Sequence, residues 1–218
     1  MQERQPPPAS ASTATNRQEG LLDRAAGVIL SPGPTFRSIA ATRPVGQAML
    51  VTLVGTGIAG AAALGPSTAS AGGQGGLGPA GIALGFILGL LLGIPVTAAA
   101  AGLYHVAARV LGQQTGTYAG LFTVFGYINT LLVLQAPLAL IAVVGGAIGT
   151  TVSGSLGLAL TVWMLVLTAV AVRANYRTGV GVAIGVLVLA VVGAIVAAVG
   201  VAVLIVVLLL LGLLAALR

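Results

Sequence analysis

VGVAIGVLVLAVVGAIVAAVGVAVLIVVLLLLGLLAAL, residues 180 to 217, runs for 38 positions without one charged side chain. Bilayer hydrocarbon is about 30 Å thick and takes about 20 apolar residues of helix to cross. The stretch is therefore read as membrane-spanning. As one straight helix it would extend about 57 Å, which overshoots one bilayer. Either a single final helix projects past the membrane, or Gly200 divides the segment into two short spans. One span is favoured, because no polar turn residue lies between 181 and 217.

Outward from this segment the same pattern recurs four times, roughly at 45 to 64, 80 to 104, 119 to 148 and 156 to 172, each stretch free of charge. Pro95 and Pro137 interrupt the second and third, which is tolerable where neighbouring helices satisfy the freed carbonyl. Hydrophobic residues make up 58% of the chain and charged ones 6%, against roughly a quarter charged in a soluble domain. The expected fold is an all-α, polytopic transmembrane helical bundle of about five spans, preceded by short interfacial helices.

Three parts are expected. Residues 1 to 20, with Pro6, Pro7 and Pro8 among Ala, Ser, Thr and Gln, hold almost no large apolar side chain to offset ordering entropy. They read as a disordered cytoplasmic tail and, lacking an apolar stretch, not as a cleavable signal peptide. Residues 21 to 44 read as an interfacial amphipathic segment: Leu21, Leu22, Ala25, Val28 and Ile29 recur at helical spacing. There Pro34 opens a second helical stretch through Phe36, Arg37 and Ile39 before Pro44. Residues 45 to 217 form the membrane domain.

Orientation follows from the arginines. The region before the first span carries Arg4, Arg17, Arg24, Arg37 and Arg43; the second and fourth connections carry Arg109 and then Arg173 with Arg177; the first and third, GPSTASAGGQGGLGP and GTTVSGS, carry no charge. Positive loops stay on the cytoplasmic side, so the N-terminus and the 105 to 118 and 173 to 179 loops are expected there. The host membrane is expected to be a bacterial plasma membrane. Arg218 falls outside with five spans and inside with six.

Most chemistry lacks its residues. There is no cysteine, and no Asp or Glu follows Asp23; thiolate, carboxylate and intramembrane metal mechanisms are unsupported. The sole histidine, His105, reads as an interfacial anchor beside Tyr104, and Trp163 and Tyr176 read likewise as packing and interfacial residues. No catalytic residue, cofactor or metal is expected. The formal charge of +6 is spread between apolar runs and does not form a nucleic-acid footprint. Arg173 and Arg177, four apart at the membrane edge, would attract anionic lipid without further specificity.

Gly81, Gly85, Gly89 and Gly93 fall at intervals of four on the second span. Such a stripe lets another backbone approach closely in lipid, as a dimerisation face or, the reading preferred, as packing within one bundle. Gly181 and Gly185 repeat the spacing on the last span. Asn129, Thr130 and Gln135 lie within the third span; they would hydrogen-bond between helices or line a solute path.

Two segments carry a family resemblance. ILSPGPTFRSIA (29 to 40), just before the first span, and LGQQTGTYAGLFTVFGY (111 to 127), which opens the third, resemble the Yip family, the Ypt-interacting-protein domain of multispanning membrane proteins, in its prokaryotic type. In that family a proline soon follows Gly-Tyr; here the first is Pro137. The resemblance implies five spans, a cytoplasmic N-terminus and a non-enzymatic role. It brings small-GTPase binding by analogy only. The leading expectation is a membrane scaffold or organising protein, assembling through Gly-rich helix faces with itself or other membrane proteins. A carrier or channel for a neutral or lipidic solute is the alternative.

Overall fold

The computed structural model describes residues 20 to 64 and 78 to 216. The expected tail, most of the first connection and Arg218 lie outside them. The described residues are all-α, and five helical stretches are long and apolar enough to cross a membrane. The molecule is an integral membrane protein.

Two short helices come first. In α1 (Leu21–Leu30) the Asp23 carboxylate accepts from the Gly20 N–H at 3.1 Å, closing the first turn. In α2 (Pro32–Thr42) the prolines occupy the first turn, where a missing N–H costs nothing. Gly27 allows α1 and α2 to meet, since a Cβ there would collide with the Thr35 side chain. Val28, Phe36 and Ile39 are wholly buried.

The first span, α3 (Val45–Leu64), pairs closely with α4 (Gly78–Val110). α4 runs six residues past the expected end at Tyr104, so His105 lies within the helix and the connection shrinks to residues 111 to 117. Then follows α5 (Tyr118–Ile128), in which every residue from Gly120 to Ile128 is buried. A helix buried all round is the centre of its bundle.

A 3₁₀ segment (Asn129–Leu134) joins α5 to α6 (Gln135–Val144). Pro137 has no N–H for the Val133 carbonyl; the Gln135 N–H turns to the carbonyls of Leu132 and Val133 instead. α7 (Gly146–Tyr176) follows α6 with a single residue, Gly145, between them. Here the structure corrects the expected connection GTTVSGS, which is helical. The break is at Gly145 and Gly146, the latter at φ +56°, where only glycine is at ease. Thr150, Thr151 and Ser155 donate to the carbonyls four residues back at 2.8 to 3.0 Å, so each hydroxyl is satisfied inside its own helix.

The last helix, α8 (Val180–Ala216), continues without a break through Gly200. Ala183, Val186 and Ala190 are buried, while every side chain from Ala194 to Leu210 is exposed. α8 packs on α4 and α7 through its first half. The outward faces of the spans are otherwise apolar, as lipid requires.

Candidate functional site

Three constellations stand out, beginning with the glycine stripe. It faces α3 of the same chain: a Cβ on Gly85 would overlap the Gly60 carbonyl, one on Gly89 the Thr56 carbonyl, and one on Gly93 the Thr56 side chain. Gly81 is buried on the same helix. Close approach brings Thr56 within reach of the neighbouring backbone, and its hydroxyl donates to the Gly89 carbonyl at 2.9 Å and to the Thr52 carbonyl at 2.7 Å. The stripe is thereby taken up inside the bundle.

The three polar residues of the third span separate. Asn129 Nδ2 donates to Thr97 Oγ1 at 2.9 Å and to Thr52 Oγ1 at 3.4 Å, tying the 3₁₀ segment to α4 and α3. Gly55 makes room, since a Cβ there would meet the Asn129 carbonyl. Thr130 Oγ1 is buried without a hydrogen-bond partner among the described residues. Gln135 turns away into a cavity of about 470 Å³ between α3, α6 and α7, beside Ser153. They do not share one face.

The third constellation gathers at the end of the bundle where α1 and α2 lie. Gln47 Oε1 accepts from Arg24 Nη1 at 2.9 Å and from the Tyr127 hydroxyl at 2.7 Å, so one amide joins α1, α3 and α5. Tyr127 is fully buried, and an unpaired hydroxyl there would be costly. Gly126, its neighbour, lets α5 close on Ala48 of α3.

The 111 to 117 connection is fastened to the end of α7. Thr115 Oγ1 donates to the Tyr176 carbonyl at 2.7 Å, and Asn175 Nδ2 donates to the Thr117 carbonyl at 3.0 Å. Thr117 in turn caps α5, accepting from the Gly120 N–H at 3.1 Å. A Cβ at Gly116 would penetrate the Tyr176 ring and one at Gly120 the Asn175 amide oxygen. Arg109 donates to Gln114 and, at 3.4 Å each, to the Gly116 carbonyl and His105 Nε2. His105 Nδ1 lies 2.5 Å from the Tyr176 hydroxyl, within hydrogen-bond distance. His105 and Tyr176 therefore hold one another and the loop.

Beside this fastening lie two adjoining cavities of about 440 and 520 Å³, sharing Arg37, Ala174 and Arg177 in their walls. Arg43 completes the first and Arg173 the second. Sequence reasoning noted Arg173 and Arg177 as a pair but missed their meeting with Arg37 and Arg43, and it missed Gln47, Thr52, Thr56, Thr97 and Asn175. An isolated amide or hydroxyl inside an apolar span is the signal that would have found the helix ties.

The family model described as the Yip1 domain matches residues 26–201 of the chain. No curated protein and no solved structure matches it.

Proposed function

The chain belongs to the Yip1-domain family, and from that premise we propose that it is a non-enzymatic organiser of membrane proteins, with its N-terminal end on the cytoplasmic side of a bacterial plasma membrane. What supports the reading is how the interior polar groups are used. Gln47, Thr56, Thr97, Asn129 and Asn175 all serve as ties between segments of the same chain, which leaves the outward helix faces as the surface open to other membrane proteins. Since the α4 stripe is engaged by α3, assembly with a second copy or another membrane protein would use other faces. Gly154 of α7 and Gly181 of α8 each face open space, and small residues there permit close approach. The carrier alternative draws no support from Asn129, Thr130 and Gln135, which diverge.

The chain contains no cysteine, so single cysteines introduced at exposed Leu84, Leu158 or Ile195 report neighbours in native membranes without background. The organiser reading expects a discrete protein adduct from at least one position. It also expects liposomes carrying the protein to retain neutral solutes as well as protein-free ones. Solute release together with no adduct at any position would overturn it.

A further inference from the structure

We propose that the arginine-lined cavities between α2 and α7 form a binding site for the phosphate headgroup of an anionic phospholipid. Arg37 stands within α2 and Arg43 at its end; Arg173 and Arg177 stand on and just past the last turn of α7. Packing of α2 on α7 brings all four to one place. Among the described residues no carboxylate lines either cavity, and the one acid there, Asp23, bonds to its own helix start at Gly20. Among the described residues none of the four guanidinium groups has a hydrogen-bond or ion-pair partner.

Each helix C-terminus favours one nearby cation, which accounts for Arg43 and Arg177 singly. It does not account for Arg37, or for four like charges around shared walls, whose mutual repulsion a bound anion would relieve. Arg43 and Arg177 also take the left-handed backbone at φ 48° and 51°, a conformation ordinarily left to Gly or Asn at this position. Thr115, Thr117 and the buried Asn175 add polar groups to the first cavity. Guanidinium forks match phosphate oxygens in pairs, and the volumes suit a headgroup.

The surroundings select a lipid over a free phosphate. Below Arg173, towards the membrane interior, Val170 lines the second cavity, and Val166 and Val162 continue the same helical strip as exposed apolar surface. From Arg173 to Val162 is about 16 Å along the helix, close to the hydrocarbon depth of one leaflet, half of about 30 Å. A phosphate held by the arginines would leave its acyl chains lying along that strip.

The test titrates the full-length protein in mild detergent with phosphatidylglycerol, phosphatidylcholine or inorganic phosphate and counts bound ligand by native mass spectrometry. Phosphatidylglycerol is expected to bind about tenfold or more tighter than phosphatidylcholine. Each arginine near an anionic surface is worth about fivefold, so Arg37→Gln with Arg177→Gln should weaken that binding about thirtyfold. Arg37→Lys with Arg177→Lys retains net charge and loses the paired donors; it should weaken binding several-fold while the protein stays folded. Equal binding of the two lipids, or a Lys pair that binds like the wild type, would overturn the site. Displacement of phosphatidylglycerol by an equal concentration of inorganic phosphate would overturn the lipid as its ligand.

Discussion

Replacing Gly85 or Gly89 by Ala should destabilise the folded bundle, whereas the same change at Gly154 or Gly181 should not. At Gly85 the new methyl meets the Gly60 carbonyl, and at Gly89 the Thr56 carbonyl. Both obstacles are backbone, so no side chain can swing aside and the two helices must separate. Overpacking of this kind costs about 1 to 3 kcal/mol. Ala returns about 1 kcal/mol through its better helix propensity. The Thr56 hydroxyl bond to the Gly89 carbonyl, 2.9 Å long, lengthens as the helices part and forfeits about 0.6 kcal/mol. The net is about 0.6 to 2.6 kcal/mol per site; because the two glycines sit one turn apart against the same helix, the pair should cost less than the sum of the two. Gly154 and Gly181 have open space where the methyl would go, so there only the propensity gain of about 1 kcal/mol remains. Equilibrium unfolding in mixed micelles, followed by helical circular dichroism, measures both. The same sign at Gly85 and Gly154 would refute the reasoning. So would a Gly85→Ala effect that vanishes on dilution, because a contact within one chain does not depend on protein concentration.

Three further outcomes follow from the polar ties. Asn129→Leu leaves the buried Thr97 and Thr52 hydroxyls without this donor and should cost about 1 kcal/mol in the same unfolding measurement. Tyr127→Phe removes the hydroxyl that shares Gln47 with Arg24; a loss of about 1 kcal/mol is expected, together with faster hydrogen exchange confined to residues 21 to 30. Thr117→Ala removes the cap of α5 and should cost about 1 kcal/mol, with protease sensitivity rising in the 111 to 117 connection.

The spans were legible in the sequence because lipid imposes one severe rule, that apolar residues cover every outward face, and a charge-free run of twenty residues satisfies few other solutions. The same reasoning failed at GTTVSGS. Hydroxyls in a soluble chain advertise a turn, but Thr150, Thr151 and Ser155 bond back onto the carbonyls of their own helix, which satisfies them without leaving it. The glycine spacing of α4 was visible, and so was the matching stripe of Ala48, Thr52, Thr56 and Gly60 at intervals of four on α3; neither stripe by itself names the other as its partner. Least legible was the arginine cavity. Arg37 and Arg177 are 140 positions apart, and only the seating of α2 on α7 makes neighbours of them.

That seating has a different physical origin from the pairing of the spans. Between two helices in hydrocarbon, burial of apolar surface yields little, because lipid tails are as apolar as leucine. α3 and α4 are accordingly joined by close backbone approach and by Thr56. α1 and α2 lie ahead of the first span, at the arginine-bearing end; with that end at the membrane surface, as we propose, water competes for their apolar side chains. There the hydrophobic effect would act, and Val28, Phe36 and Ile39 are wholly buried against the bundle. The two residues that the ILSPGPTFRSIA segment contributes to this core, Phe36 and Ile39, flank Arg37 in sequence, and Arg37 is exposed. Anchoring α2 by its apolar face therefore fixes its basic residue against the end of α7. The arrangement that holds the N-terminal helices on the bundle is the one that assembles the cavity.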